Sequence, residues 1–310
     1  MYQSLTVAEC GCRTRCCPHC QSTDFIKYGF VKRKDDGRRV RRFRCKCCGK
    51  TFSRAGFSIF YRHSHRRLNR RIEVLFTKGM TLRGIGRFFG IDKDTVARRL
   101  PLCAARARHR LKLDQRKALV ADQVQFDELI TIEHTKMKPV SVMLVSDSEH
   151  WRMLGCVVSR LPASGLLAEK SRQKYGFRQD ESTAARHTLM ASLGEAIAPD
   201  AEFITDSHSA YPDLIRRHFP DATHTTHIGA KGAVGGQGEL KKQTWDPLFC
   251  INHQLAMLRA NISRLFRRSW NTTKRIERLF DHLLIFILHY NRTRRPANRV
   301  QREAERQLLH

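Results

Sequence analysis

The sequence predicts an α/β protein: a mixed β-sheet flanked by helices, preceded by a small metal-pinned ribbon and a helical module. Three observations carry that reading. Two Cys-x-x-Cys pairs frame a strand-rich basic stretch, helix-length apolar stripes punctuated by Gly follow it, and beyond residue 120 short apolar alternations precede and then interleave with helical stripes.

Charge divides the chain at the same place. Residues 1–120 carry 31 Lys/Arg against 8 Asp/Glu, a net of +23, while residues 121–310 carry 27 against 21, a net of +6. The first part therefore reads as a polyanion-facing module, and nucleic acid is the expected polyanion because Arg clusters neutralise phosphates and release counterions. A membrane is not expected, since no apolar run approaches the roughly 18 residues of a span and no lipidation signal is present. MYQSLTVAEC does not read as a secretory signal. Eight of the 11 cysteines fall within residues 10–48, a clustering that favours metal ligation in a reducing compartment over disulfides. The sequon-like Asn271-Thr-Thr then carries no meaning.

The ribbon, assigned to residues 1–60, rests on Cys17-Pro-His-Cys20 and Cys45-Lys-Cys-Cys48, with 24 residues between the pairs. Four thiolates at this spacing make a tetrahedral structural zinc site. The intervening Phe25, Tyr28, Phe30 and Val31, the turn Asp35-Asp36-Gly37, and Val40 and Phe43 read as a hairpin too small to fold without its metal. Cys10, Cys12, Cys16 and Cys47 leave the ligand set open, with His19 a weaker substitute. Arg38, Arg39, Arg41, Arg42 and Arg44 lie on the same hairpin and are read as contacts to DNA phosphates.

Residues 61–119 are assigned to a helix-turn-helix and a basic linker helix. Ile72, Val74, Leu75 and Phe76 start a first helix; Thr81 caps a second; Gly90 turns the chain into a third that Pro101 is expected to end. On that reading Lys93, Asp94, Thr95 and Arg98 face the major groove of double-stranded DNA.

Residues 120–295 are assigned to the sheet domain and 296–310 to a basic tail. Strands are expected over Val124–Ile132, Val140–Val145 and Met153–Val158, a helix over 181–198, a strand ending FITD at Asp206, a helix over 211–218 and a short strand over Thr223–Ile228, then long helices. This is the RNase H-like order of elements. Asp127 stands at the parity opposite Phe126, and in such a sheet its strand neighbours the one that ends at Asp206. Two carboxylates that close repel each other unless a divalent cation lies between them, which makes them candidates for Mg²⁺ or Mn²⁺ and for two-ion phosphoryl transfer. The competing assignment makes Asp206 a cap for the Tyr211 helix. His224 and His227 are candidates to reach the same place, with unliganded strand histidines as the commoner alternative.

Taken together, the Cys17/Cys20/Cys45/Cys48 ribbon, the helix-turn-helix at 81–100, QFDEL around Asp127, ITDSHSAY around Asp206, the basic helix NHQLAMLRANISRLFRRSW at 252–270 and HYNRTRRP resemble a bacterial insertion-sequence transposase of the DDE, RNase H-like class. The resemblance implies a cytoplasmic, nucleoid-associated prokaryotic enzyme that hydrolyses DNA at element ends and joins the freed 3′-hydroxyl to target DNA, and that oligomerises when two ends are paired. It also implies a third acid on the helix after the fifth strand, where this sequence has Asn252-His253. Glu239, 33 positions beyond Asp206 in a Gly-rich loop, has the right chemistry; Asn252 has the right place; an impaired site is the third alternative. The rival activities are a DNA-binding regulator that no longer cuts and a nuclease that cuts without joining.

Overall fold

The computed structural model describes residues 16–33, 37–57, 60, 63–227, 246–266 and 269–293. It divides into two compact units, residues 1–71 and 72–310. In the first, β1 (Phe25–Lys32), β2 (Arg39–Cys45) and β3 (Thr51–Ser53) form an antiparallel sheet in that order. A bulge between Lys27 and Phe30 turns Tyr28 and Phe30 to opposite faces, so Arg42 and Arg44 flank the Tyr28 ring while Arg39 and Arg41 flank that of Phe30. The apolar centre is small: Phe25, Phe43 and Phe52 meet at 5.3–5.6 Å beside Cys17 and Cys45.

The second unit opens with the end of α1 (Asn69–Phe76), then α2 (Leu82–Phe89) and α3 (Lys93–Gln115). Thr81 Oγ1 accepts the Gly84 N–H at 3.0 Å and Asp92 accepts that of Asp94 at 2.7 Å, so both helices begin with side-chain caps. Gly90 supplies the left-handed residue (φ +62°) that ends α2, and Gly86 lets the turn close, because a Cβ there would lie 2.8 Å from the Ile91 carbonyl oxygen. Pro101 does not end α3, contrary to the sequence reading. The helix runs on through the segment read as a separate linker, because Val96, Leu100, Cys103, Ala104 and Ala107 bury one stripe. A Pro in mid-helix costs about 3 kcal/mol, and burying two or three such side chains at roughly 2 kcal/mol each offsets it.

The sheet is mixed and five-stranded, in the order β6-β5-β4-β7-β8, compatible with an RNase H-like fold. Its strands are β4 (Ala121–Ile132), β5 (Pro139–Asp147), β6 (Arg152–Arg160), β7 (Ile197–Asp206) and β8 (Thr223–His227). The β4–β5–β6 meander is antiparallel; β4–β7 and β7–β8 are parallel. On one face Val124, Phe126, Met143 and Phe203 pack under α5 (Ser182–Ser192) and α6 (Tyr211–His218). On the other, Leu129, Val142 and Leu144 pack under α7 (Phe249–Asn261) and α8 (Ile276–Thr293). Two boundaries differ from expectation, and one helix lies where none was assigned. α5 stops at Ser192 and Ile197 opens β7; α7 ends at Asn261 because the following Ile262 is extended; and a basic stretch around Lys170, without helical patterning, folds as α4 (Ala168–Tyr175). The Gly-rich segment with Glu239, and residues 35–36 of the hairpin turn, lie outside the described residues.

Candidate functional site

Parity and register bring Asp127 and Asp206 together. Gln125 of β4 stands beside Ile204 of β7 in parallel register, and two residues further along both strands Asp127 and Asp206 occupy the same face. That face is the one under α7. Over Asp127 lies an open cavity of about 490 Å³ lined by Asn252, Leu255, Ala256 and Arg259, which the 3.6-residue period places on one side of α7. Asp127 Oδ1 accepts the Glu128 N–H at 2.6 Å, and Asp206 Oδ1 accepts the His208 N–H at 3.2 Å. Asp206 therefore closes the turn before α6 rather than capping the helix; the N-cap of α6 is Ala210, with no side-chain cap.

The electrostatics of the pair are asymmetric. Burial pushes the Asp127 carboxyl up to about 6, and the charges of Asp206 and Glu128 push the same way, against the Glu128 N–H and the Arg259 guanidinium. Glu128, its sequence neighbour, points to the opposite face and is already occupied: it pairs with Arg186 of α5 and accepts Ser141 Oγ. Both acids border the cavity, but Arg186 and Ser141 engage the Glu128 carboxylate, which leaves that of Asp127 as the one without a charged hydrogen-bond partner there. Tyr211, buried beneath the sheet and 4.7 Å from both the Phe126 and His208 rings, has its phenol pushed well up by burial and then by Glu128, Asp127 and Asp206. It fixes the turn that carries Asp206 from below.

Of the other candidates, Asn252 is exposed on the cavity wall, and its Nδ2 donates to Asp246 Oδ2 at 2.9 Å. Asp246 also accepts the Leu248 N–H at 3.0 Å ahead of α7; it escapes the sequence reading, although Asp-Pro before a helix is a turn-and-cap signal. Arg259 reads in the sequence only as part of a basic face; the i, i+7 spacing from Asn252 is what aims it at Asp127. His227 stands beside Asp206 in the β7–β8 register. His224 does not share that face: it pairs with Phe203 in register, and its Nε2 lies 2.8 Å from Thr205 Oγ1. Glu239 cannot be placed, lying outside the described residues.

In the first unit the Sγ atoms of Cys17, Cys20, Cys45 and Cys48 all lie within 4.8 Å of one another, with Cys17–Cys48 at 3.7 Å and Cys20–Cys45 at 3.5 Å. A tetrahedron with metal–sulfur bonds of about 2.3 Å has edges of about 3.8 Å, whereas a disulfide needs about 2.05 Å. The four sulfurs therefore fit a metal. The Cys48 backbone N–H draws the Cys45 thiol down to about 7. The Ser22 backbone pulls the Cys20 thiol the same way, but burial and the facing Cys45 push it up to about 12, since two facing sulfurs are not both anionic without a cation. Cys16 and Cys47 stand outside the cluster, and Cys10 and Cys12 outside the described residues. Arg38, Arg39 and Arg41 are exposed and Arg42, half-buried, donates to Thr51 Oγ1 at 2.5 Å. Lys93 and Arg98 are exposed in the first two turns of α3, with Thr95 half-buried between them.

No family model and no curated protein matches this chain. Among solved structures, a crystal structure of a pre-cleavage Mos1 transpososome aligns over 72% of this chain and 75% of its own, at 11% identity and a TM-score of 0.20. No helix among the described residues is long and apolar enough to cross a membrane.

Proposed function

We propose that the chain is a DNA transposase whose RNase H-like domain carries out divalent-metal-dependent cleavage and strand transfer, with element ends bound by a zinc ribbon and a helix-turn-helix. The observation that carries the reading is the juxtaposition of Asp127 and Asp206 on adjacent parallel strands, with Asp127 at the floor of a cavity and destabilised as an anion by its surroundings. A half-buried carboxylate beside a second acid is a poor arrangement for stability and a good one for a hard cation.

Asp127 and Asp206 would hold Mg²⁺ or Mn²⁺, which when bound supplies charge to the attacking and leaving oxygens of a phosphodiester. Asn252 would contribute its amide oxygen, since Asp246 takes the Nδ2. Glu239 is the alternative third ligand. Arg259, on the wall opposite Asp127, offsets phosphate charge. Water attack at an element end breaks the P–O3′ bond and leaves a 3′-hydroxyl; that oxygen then forms a new P–O bond with target DNA as another P–O bond breaks. Outside the cavity, Cys17, Cys20, Cys45 and Cys48 would hold zinc, Arg38, Arg39, Arg41 and Arg42 contact phosphates, and Lys93, Thr95 and Arg98 read the groove. Pairing two ends requires at least two copies.

A second reading, a DNA-binding regulator with an incomplete site, is favoured by one feature: among the described residues no third carboxylate, His or Cys joins Asp127 and Asp206 in a cluster. One assay separates them. Purified protein is incubated with Mg²⁺ or Mn²⁺ and labelled DNA carrying candidate element ends. Nicking and joining, both abolished in Asp206→Asn, fit the transposase; binding without nicking fits the regulator; nicking without joining identifies a nuclease.

A further inference from the structure

Between α2–α3 and the segment that follows α7 lies an open cleft of about 1300 Å³. Its walls carry Arg83, Arg87, Lys93, Arg259, Arg264 and Lys274 against one acid, Asp94, which Lys93 already pairs at 3.0 Å. Arg264 is the telling residue. It has no hydrogen-bond or ion-pair partner among the described residues; its electrostatic neighbours are the like-charged Arg278, the imidazole of His282 and the acid Asp281, and Arg278 already holds Asp281 at 2.7 Å. Burial and then Arg278 lower the stability of its charged form. A desolvated guanidinium without a partner is costly unless an anion arrives to pair with it. One small anion would meet two or three of these cations; with Lys93 already paired, five positive charges spread along a cleft of this size match a chain of phosphates.

The cleft does not end blindly. Arg259 and Ala260 line both it and the cavity over Asp127, so the two openings adjoin. We infer that this groove takes a nucleic-acid backbone and leads it from the α2–α3 face to Asp127 of the same chain, with Arg264 and Arg259 as phosphate-positioning residues. Delivery to Asp127 rests on the function proposed above; binding in the groove does not.

The binding half is tested by titrating a fluorescently labelled random-sequence duplex with the full chain over a series of KCl concentrations. Arg83→Gln/Arg264→Gln/Lys274→Gln should weaken binding roughly tenfold or more at physiological salt and lower the slope of log K against log salt by about 2 to 3, at about 0.9 per lost phosphate contact. Arg216→Gln/Arg217→Gln, which removes two cations from the surface of α6, should change affinity less than twofold. Equal effects of the two variants would overturn the inference. A photo-crosslinking residue placed at Ala97, on the cleft wall, should also capture the duplex; no capture there, with capture on the ribbon, overturns it equally. The delivery half is tested by mixing Asp127→Asn protein, groove intact, with the triple variant, carboxylates intact. Recovered cleavage would sink same-chain delivery, and continued inactivity fits it. If the unaltered protein never cleaves, the phosphoryl-transfer reading and delivery fall together, and the salt slopes alone decide the groove.

Discussion

Residues 16–57 and the sheet of residues 121–227 reach an ordered state by different means. Among its described residues the ribbon buries Cys17, Cys45 and Phe52 and leaves Ile26, Tyr28, Phe30 and Val31 of β1 nearly half exposed. The sheet is covered on both faces: Phe126, Phe203 and Tyr211 on one, Leu144, Leu258 and Leu283 on the other. A unit with so little apolar burial would draw much of its folding free energy from a metal held by its four sulfurs. The sheet, with two cores, can instead tolerate a site that works against stability. The second unit can therefore carry a pair of acids on one face of its sheet, while the first gathers four sulfurs.

Removing the metal breaks the comparison hardest. Strong chelation, or Cys45→Ser, should abolish the ordered amide pattern of residues 16–57 and weaken end binding, while the amides of β4, β5 and β7 keep their protection; hydrogen exchange by mass spectrometry reads both at once. Loss of protection in the sheet as well would remove the distinction. The converse substitution, Phe203→Ala, should cost about 3 to 5 kcal/mol in the second unit and leave the four-cysteine site able to bind zinc, as followed by urea unfolding and by a zinc-competition dye.

A finer test concerns Asp127. Its folded-state carboxyl lies at about 6 against 3.8 for the ordinary group, so the folded state holds the proton more tightly. The associated stability is fully present below about pH 4 and is lost as pH rises through about 6, by about 2 to 3 kcal/mol in the metal-free protein. Asp127→Asn should therefore be more stable than the unaltered chain at pH 8 and nearly equal to it at pH 4, in urea unfolding without divalent ions. An unchanged difference across that window would show that Asp127 is not held against its charge.

How much of this was legible in the sequence depends on which force set each feature. Strand alternation placed Phe126 inward and Asp127 on the opposite face, and the FITD run ended a strand at Asp206, because period-2 patterning survives wherever one face is buried. The Cys-x-x-Cys spacing likewise pointed straight to the cluster. Local rules failed where tertiary burial outweighed them: Pro101 reads as a stop, yet the buried stripe of Val96, Leu100, Cys103 and Ala107 carries the helix past it, and α4 shows no pattern because only Ser171 of it is buried. The Glu128–Arg186 pair could not be read at all and Arg259 only as part of a basic face, since each gains its role from a partner at least 58 positions away; Asp246 left only the turn signal of Asp-Pro.

The central claim, that Asp127 and Asp206 form one cation site, is tested most directly by electron paramagnetic resonance of Mn²⁺ titrated into the chain with the cysteine site saturated by zinc. The unaltered protein should bind Mn²⁺ and release it to excess Mg²⁺, and Asp206→Asn should lose that binding while its fold, by circular dichroism, is unchanged. Equal Mn²⁺ binding in the two proteins would contradict the account.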